Sequence, residues 1–277
     1  MSAPHVTRSA SAPDPAPLSE AEVVVRLRAA GCVFAEEEAQ LLLAAAAGTP
    51  AELESMVQRR VAGLPLEHVV GWAEFRGLRI AVDPGVFVPR RRTEFLVEQA
   101  AELAPARPVV VDLCCGSGAL GVALAAAVEG VELHAADVDH ASVECARRNV
   151  GPAGGRVYEG DLFEPLPVAL RGRIDVLLSN VPYVPTAEIE LLPAEAREHE
   201  VRVALDGGPD GLAVLRRVAA AAPSWLAPGG HLLFETSERQ VPYAVEALTA
   251  AGLSVRIATD DELDATVLIA TRPAPPL

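Results

Sequence analysis

The stretch VVVDLCCGSGALGVALAAA, residues 109–127, decides the fold. It begins with a valine-rich run typical of a buried strand and ends, from Ala119, in an alanine- and leucine-rich run typical of a helix. Gly116 and Gly118 lie in the turn between them, where a missing side chain lets a ligand approach the backbone N–H groups of the helix start. This pattern predicts one unit of a parallel α/β sheet with a ligand site at its edge.

Strands and helices keep alternating after this stretch. Further strands are predicted at 131–136, 174–179 and 231–235, each followed by a helix, at 141–149, 211–222 and 241–251. Two last strands, at 253–258 and 265–270, are separated by a short connection, which favours an antiparallel hairpin at one edge. The alternation predicts an α/β fold built on a doubly wound sheet, and it assigns residues 89–277 to the main domain.

The N-terminal part is organised differently. Residues 1–17, rich in alanine, proline and serine, are predicted to form a disordered tail. Residues 18–67 show helical periodicity, with Ser19 as the cap of the first helix and Pro50 at the start of the third. We therefore expect a small helical bundle ahead of the main domain.

A hairpin is predicted to connect the two parts, over residues 68–88. Two β-rich runs, 69–75 and 78–82, flank the pair Arg76-Gly77, and Asp83-Pro84-Gly85 ends the second run as a turn.

Composition limits the kind of partner. The chain has 277 residues, and 51% of them are hydrophobic, which indicates a packed globular protein. Its net charge of −15 argues against binding to duplex nucleic acid. No apolar run reaches the roughly 18 residues that span a bilayer, and no basic and apolar leader is seen at the N-terminus. We expect a cytoplasmic monomer without a membrane or direct nucleic-acid partner.

The four cysteines give no sign of a metal site. Cys32, Cys114, Cys115 and Cys145 form neither a CxxC pair nor a zinc spacing, and the histidines are scattered. We interpret the thiols as small buried groups in a reducing compartment and predict no metal.

Acidic residues after later strands complete a nucleotide-like half-site. Asp137 ends the strand at 131–136, about 20 residues beyond the glycine turn, where a carboxylate accepts hydrogen bonds from ribose hydroxyls. Asp161, after a further short strand, suits the exocyclic amine of an adenine, with Leu162 or Phe163 covering the ring. Dinucleotide-binding folds use a similar glycine turn followed by an acidic residue, so this half-site by itself does not distinguish the two classes of ligand.

A second half-site follows the strand at 174–179. Pro182 cannot continue a central strand, so Asn180-Val181-Pro182-Tyr183 is placed just past the strand end, where ligands bind in an open α/β sheet. An amide, two carbonyls and an aromatic ring suit a flat, neutral, nitrogen-bearing group. Together the two half-sites suggest a methyl donor beside an amide or amine acceptor.

These residues resemble a known family. Asn180-Val181-Pro182-Tyr183 is similar to the Asn-Pro-Pro-Tyr signature of amino-methyltransferases with a class I S-adenosylmethionine fold. The segments 63–71, 74–75, 88–90 and 93–97 resemble the connector of HemK-type protein-glutamine methyltransferases, a family of peptide chain release factor methyltransferases. The segments 192–193, 198–200, 204–208 and 210–212 resemble the part of that family that follows the signature. The resemblance covers roughly residue 63 to the C-terminus.

The resemblance implies a Rossmann-like, seven-stranded sheet with an antiparallel edge hairpin, preceded by a helical domain that recognises the substrate. It implies methylation by S-adenosyl-L-methionine of the side-chain amide of the glutamine in the Gly-Gly-Gln loop of release factors. The implied substrate residues are Asn180, Val181, Pro182 and Tyr183, with Asn180 and Tyr183 as the catalytic pair. The cofactor residues that the resemblance implies are Cys115, Gly116, Ser117, Gly118, Asp137, Leu162 and Asn180. From their own positions, at the start of the turn and after the short strand, Cys114 and Asp161 are added to the expected cofactor site.

This chain departs from the family pattern at three places, and other functions stay open. Val181 replaces a proline, Cys114 replaces the first glycine of the cofactor turn, and Arg91-Arg92 replaces Pro-Glu. The alternatives are methylation of another protein such as a ribosomal protein, methylation of an exocyclic base amine in RNA or DNA, and a cofactor-fold protein that binds without turnover. The run Arg90-Arg91-Arg92 is interpreted as carboxylate-paired or solvated more readily than as a substrate contact.

Overall fold

A computed structural model describes residues 18–274, so the tail predicted at residues 1–17 lies outside the described residues. The chain divides into two compact units, Met1–Val70 and Gly71–Leu277.

The first unit is helical. Its helices are α1 (Glu20–Ala29), α2 (Ala35–Ala45), α3 (Pro50–Val61) and α4 (Leu66–Val70). Ser19 caps α1 as predicted, since its side chain accepts from the Glu22 backbone while the Glu22 carboxylate accepts from the Ser19 backbone at 2.8 Å. Leu27, Leu42 and Met56, one from each of the three long helices, are buried together in one apolar core. The predicted three-helix bundle is confirmed, with α4 as an additional short helix.

The hairpin opens the second unit. Strands β1 (Trp72–Phe75) and β2 (Leu78–Ala81) pair antiparallel across Arg76 and Gly77, whose φ angles of +49° and +72° are those of a tight hairpin turn. The first β-rich run was predicted to begin at residue 69, and this start is wrong. Residues 69 and 70 instead end α4, because Gly71 with a φ of +82° separates the helix from the strand.

A seven-stranded sheet forms the centre of the second unit. Its strands are β3 (Val109–Leu113), β4 (Glu132–Asp137), β5 (Arg156–Glu159), β6 (Ile174–Ser179), β7 (Leu226–Glu235), β8 (Ser254–Asp260) and β9 (Ala265–Thr271). The helices around it are α5 (Glu94–Leu103), α6 (Ala119–Ala127), α7 (His140–Val150), α8 (Ala194–His199), α9 (Arg202–Leu205), α10 (Ala213–Trp225) and α11 (Val241–Ala250). The helices α5, α8 and α9 were not predicted from the sequence.

The strand order is β5-β4-β3-β6-β7-β9-β8. Strands β3 to β7 run parallel, β9 pairs antiparallel with β7, and β8 pairs antiparallel with β9. The predicted α/β fold, a Rossmann-like seven-stranded sheet with an antiparallel edge hairpin, is confirmed.

Apolar cores cover both faces of this sheet. Val111 and Leu177 belong to one core, and their neighbours Val110 and Leu178 belong to the other. Successive side chains of a strand point to opposite faces of the sheet. When both faces are covered, the sequence of each strand is therefore a continuous apolar run. Polar groups are therefore concentrated at the strand ends, where the predicted half-sites lie.

Candidate active site

The two predicted half-sites lie where the strand order reverses. The chain passes from β3 to β4 and β5 on one side, and from β6 to β7 on the other. A crevice that binds ligands is expected at such a switch point, outside the carboxyl ends of the strands. Leu113 and Ser179, the last residues of β3 and β6, are register partners. The turn after β3 and the loop after β6 therefore begin side by side.

The turn after β3 has a left-handed backbone. Cys114, Gly116 and Gly118 have φ angles of +55°, +53° and +78°. A Cβ at Gly118 would lie 2.7 Å from Val150 Cγ2 in α7, so glycine is required there by the backbone and by packing. The turn leads directly into α6 at Ala119, so the N-terminus of that helix lies at the same edge of the sheet.

Cys114 adopts the conformation that the missing glycine would have taken, at a cost of about 1–2 kcal/mol for a residue with a side chain. Burial raises the pKa of both the Cys114 and the Cys115 thiol, so both stay protonated at neutral pH. The charges of Asp137, Asp112 and Asp161 raise the pKa of Cys114 further. The structure thus brings the two predicted acids, Asp137 and Asp161, close to the glycine turn.

Asp137 lies directly against the turn. Its Oδ2 accepts from the Gly116 N–H at 2.9 Å, and its Oδ1 accepts from the Asp139 N–H at 2.9 Å. Burial raises the pKa of this carboxyl, while the backbone hydrogen bonds from Asp139 and Gly116 lower it. A fixed carboxylate at the end of β4 is the arrangement that the ribose prediction required, and its role stays a prediction.

Asp161 and Leu162 follow β5. Asp161 Oδ2 accepts from Arg217 at 2.6 Å, and Leu162 is half-buried with a φ of +51°. Phe163 is 7% exposed and stacks on Trp225 with ring centroids 5.3 Å apart. Phe163 therefore belongs to the core, and the expectation that it covers a ligand ring is wrong for this residue.

Asn149 is a supporting residue that the sequence analysis missed. Its Nδ2 donates to the carbonyls of Ser117 at 2.8 Å and Ala81 at 2.9 Å, and its Oδ1 accepts from the Ala81 N–H at 2.9 Å. One side chain of α7 thereby ties the turn after β3 to the hairpin strand β2. An asparagine inside a helix, where its propensity is low, was the available signal.

Asp112 lies beneath the turn and is 1% exposed. Burial raises the pKa of this carboxyl to about 8, although its Oδ2 accepts from the Gly121 N–H at 2.9 Å. The folded protein therefore holds the proton more tightly than the unfolded chain does. Asp112 therefore lowers the free energy of unfolding as the pH rises from about 4 to 8.

We expect Asp112→Asn to remove this part of the pH dependence, because the amide oxygen still accepts from Gly121 and no charge is buried. Relative to the unchanged protein, the variant should gain stability progressively between about pH 4 and pH 8. Denaturant unfolding at pH 5 and pH 8 measures this. Equal pH slopes for the two proteins would contradict the assignment.

The two central residues of the loop after β6, Val181 and Pro182, are buried. Val181 is 2% exposed within the core, and Pro182 is also buried. Asn180 and Tyr183 are half-buried on either side of them. The Asn180 side chain forms no hydrogen bond with any of the residues 18–274, so its amide is available to a ligand. The Val181 side chain packs in the core, so a contact of this residue with a ligand would have to be made by its backbone.

Two residues lie against the backbone carbonyl of Tyr183: Gln240, just before α11, and Gly211, just before α10. The Tyr183 carbonyl accepts from Gln240 Nε2 at 2.9 Å, and Gly211 approaches it so closely that a Cβ there would lie 2.2 Å from the same oxygen. Gly211 also has a φ of +75°. The close approach explains why glycine stands at this position.

Gly211→Ala should destabilise the protein by about 2–4 kcal/mol, the sum of overpacking and left-handed strain. Gly172→Ala is the matched control, because Gly172 has a similar φ of +71° with nothing within 4 Å of its Cβ position. That control should cost only the backbone strain, about 1–2 kcal/mol. Chemical denaturation compares the two, and equal losses would show that the approach to Tyr183 is not tight.

Two arginines of the run 90–92 pair with carboxylates and Arg91 is exposed, which agrees with the interpretation of the run as carboxylate-paired or solvated. Arg90 pairs with Glu200, and Arg92 Nε donates to Glu235 Oε1 at 2.9 Å. Arg92 also donates to the Tyr183 hydroxyl, which in turn donates to Glu235 Oε1 at 3.3 Å. Burial raises the pKa of Tyr183 to about 12, so its hydroxyl stays protonated. Glu235 was missed from the sequence, although it ends an apolar strand as Asp137 does.

Neither a membrane-spanning helix nor a metal-binding cluster is found within residues 18–274. No helix there is long and apolar enough to cross a bilayer. No group of three or more histidine, cysteine, aspartate or glutamate side chains there is arranged to hold a metal ion.

Comparison with solved structures agrees with the fold. A methyltransferase from Pyrococcus furiosus superposes with a TM-score of 0.54 and 18% identity, covering 79% of this chain and 98% of that chain. Residues 77–197 match the family described as methyltransferase small domain.

Proteins found by sequence similarity share a higher identity with this chain than that solved structure does. The release factor glutamine methyltransferase of Geobacter sulfurreducens is 42% identical over 67% of this chain and 65% of its own length, slightly less than two thirds. A 4-amino-L-phenylalanine/4-methylamino-L-phenylalanine methyltransferase of Streptomyces pristinaespiralis is 36% identical over 71% of this chain and 69% of that enzyme. The release factor glutamine methyltransferase of Mycolicibacterium smegmatis is 41% identical over 73% of this chain and 72% of its own. Since such identity extends over most of both chains, the protein belongs to the release factor glutamine methyltransferase family, enzymes with a class I S-adenosylmethionine-dependent methyltransferase fold.

Proposed function

We propose that this enzyme methylates the side-chain amide nitrogen of the glutamine in the Gly-Gly-Gln loop of peptide chain release factors. One observation carries the proposal. The Asn180 side chain, half-buried at the end of β6 and beside the turn after β3, has no hydrogen-bond partner among residues 18–274. An amide left free at a switch point is suited to pair with an amide substrate.

The residues around the turn fit S-adenosyl-L-methionine, which supplies an electrophilic sulfonium methyl group when bound. The Asp137 carboxylate is held by two backbone N–H groups and retains lone pairs for ribose hydroxyls. Asp161 pairs with Arg217 through Oδ2, which leaves Oδ1 for an adenine amine. The residues proposed to hold the cofactor are Cys114, Cys115, Gly116, Ser117, Gly118, Asp137, Asp161, Leu162 and Asn180.

The acceptor is oriented by two oxygen atoms. An amide nitrogen is a weak nucleophile because its lone pair is delocalised, so it must be held in line with the methyl group. Asn180 Oδ1 accepts one N–H of the glutamine amide, and the Val181 carbonyl accepts the other. Both oxygens would stabilise the positive charge that grows on nitrogen as the nitrogen–methyl bond forms and the sulfur–methyl bond of the sulfonium breaks, which leaves a neutral thioether. The methylated nitrogen would then give up one N–H proton to water as the product leaves. Pro182 and Tyr183 close the site from water.

Tyr183 contributes its ring and not an acid–base group. Its hydroxyl already accepts from Arg92 and donates to Glu235, and its pKa of about 12 keeps it protonated at neutral pH. The catalytic roles assigned here are therefore positioning and charge stabilisation by Asn180, and packing on the glutamine side chain by Tyr183.

The helical unit is proposed to recognise the protein substrate. Val25, Val33 and Phe34 are each at least 66% exposed on this unit, although they are apolar. Exposed apolar side chains that lie together are typical of surfaces that bind another protein, and Val33 and Phe34 are adjacent in the chain.

A small aromatic amine is a second candidate acceptor. The observation that favours it is the 36% identity to the 4-amino-L-phenylalanine/4-methylamino-L-phenylalanine methyltransferase. A flat arylamine can pair with the same two oxygens and stack on Tyr183.

The test is an incubation with labelled S-adenosyl-L-methionine and either purified release factors of the source organism or 4-amino-L-phenylalanine. Peptide mass spectrometry of the release factors should find one added methyl group on the glutamine of the Gly-Gly-Gln loop. Release factors with alanine in place of that glutamine are the control and should take up no label. Label on the arylamine alone would replace the proposed acceptor by the second candidate.

A further inference from the structure

Three side chains from distant segments form a closed ring of hydrogen bonds beside the acceptor loop. Arg92 Nε donates to Glu235 Oε1 at 2.9 Å, the Tyr183 hydroxyl donates to the same oxygen at 3.3 Å, and Arg92 donates to the Tyr183 hydroxyl. The Arg92 guanidinium also lies 6.0 Å from the centroid of the Tyr183 ring. Arg92 precedes α5 and Glu235 ends β7, so the ring joins three separate elements.

We propose that Arg92 and Glu235 are positioning residues that hold the Tyr183 ring in the orientation in which it receives the acceptor side chain. The proposal rests on the proposed acceptor site at Asn180 to Tyr183. It assigns a function to Arg92, one of the residues at which this chain departs from the family pattern.

Burial makes the ring of hydrogen bonds selective for arginine. The Glu235 side chain is 3% exposed, and its Oε2 is buried without a hydrogen-bond partner among the described residues. A buried carboxylate that loses its only cation is strongly destabilised. Arginine can donate from two nitrogens to two different acceptors, here Glu235 and Tyr183, which lysine cannot do in the same planar geometry.

Tyr183 is thereby held at both ends. Gln240 Nε2 binds its carbonyl at 2.9 Å, and the ring of hydrogen bonds holds its hydroxyl. Because the Tyr183 side chain is already ordered before the acceptor binds, binding does not have to include the entropic cost of ordering that side chain. We therefore expect the ring of hydrogen bonds to act on acceptor recognition and not on the cofactor.

The first readout does not depend on activity. The chain has three tyrosines, Tyr158, Tyr183 and Tyr243, so protein labelled with 3-fluorotyrosine should give three fluorine-19 NMR signals. Tyr183→Phe assigns the signal of Tyr183. Arg92→Gln and Glu235→Gln should each shift or broaden that signal and leave the other two in place. Arg91→Gln, a change at the exposed neighbouring arginine, is the matched control and should move none of the three.

The second readout compares the effect of Arg92→Gln on KM with its effect on kcat. Arg92→Gln should lower kcat/KM for the acceptor about tenfold, mainly through KM, and leave the Kd of the cofactor unchanged. Should Arg92→Gln fold poorly, the double variant Arg92→Gln, Glu235→Gln restores folding because it leaves no buried charge unpaired. Its Tyr183 signal should still differ from that of the unchanged protein.

An unchanged Tyr183 signal in Arg92→Gln and in the double variant would overturn the proposal, as would equal kinetic losses in Arg92→Gln and Arg91→Gln. Failure of the proposed function has a different signature, because release factors would then stay unlabelled with the unchanged protein while the fluorine-19 result would still be obtained.

Discussion

Asn180→Ala is expected to lower methyl transfer by at least about 10²-fold, the loss typical of removing one group that stabilises charge in a transition state. The acceptor nitrogen would lose the oxygen that orients it and that stabilises its growing positive charge. The cofactor Kd should change by less than about tenfold, since most of the proposed cofactor contacts lie in the turn after β3. Single-turnover rates and calorimetry measure the two effects.

Stability provides the control for Asn180→Ala. Because the Asn180 side chain forms no hydrogen bond within residues 18–274, the free energy of unfolding should change by no more than about 0.5 kcal/mol. Asn180→Asp keeps an acceptor oxygen and should retain more activity than Asn180→Ala. Near-normal turnover in Asn180→Ala would remove this residue from the mechanism.

Asp137→Ala is expected to weaken cofactor binding by about 10²–10⁴-fold. The carboxylate is proposed to bind two ribose hydroxyls, and hydrogen bonds to a charged group contribute about 1.5–3 kcal/mol each. The change also leaves the Gly116 N–H without its acceptor, which loosens the turn at the point where the cofactor approaches. Isothermal calorimetry with S-adenosyl-L-methionine measures the Kd.

Glu159→Ala is the matched control for Asp137→Ala. Glu159 ends the neighbouring strand β5, is the register partner of Asp137, and pairs with the exposed His140 at 3.0 Å. Its removal should leave the Kd unchanged. If Asp137→Ala behaves as Glu159→Ala does, the ribose assignment is refuted.

Much of the fold was predictable because the signals that specify it are local. The apolar runs that became β3, β4, β6 and β7 were read from a few consecutive residues, and each was predicted within a few residues of its observed bounds, apart from the early start of β7. Gly118 ended the turn after β3 because any side chain there would collide with α7. Both half-sites could be placed because a strand end is recognisable from its own sequence.

The failures share a physical cause. Residues 69 and 70 are β-branched, yet they complete a helix that Gly71 ends, since packing within the helical unit outweighs β-propensity. Phe163 seemed free to cover a ligand ring, but it stacks on Trp225, which lies 62 positions later in the chain and was not a predicted partner. Local pattern does not reveal the partner of an aromatic side chain.

The sequence by itself determined the alternation of strands and helices from β3 onward, apart from α8 and α9. It also determined the glycine turn with Asp137 and the asparagine loop, because each depends on neighbouring residues and on the positions of strand ends. Only the tertiary structure decided which polar side chains meet. Arg92 and Glu235 are 143 positions apart, and Arg92 and Tyr183 are 91 apart. Hydrophobic periodicity specifies which face of an element is buried, but the pairing of charges at the strand ends depends on how the packed elements align, and no local pattern records that alignment.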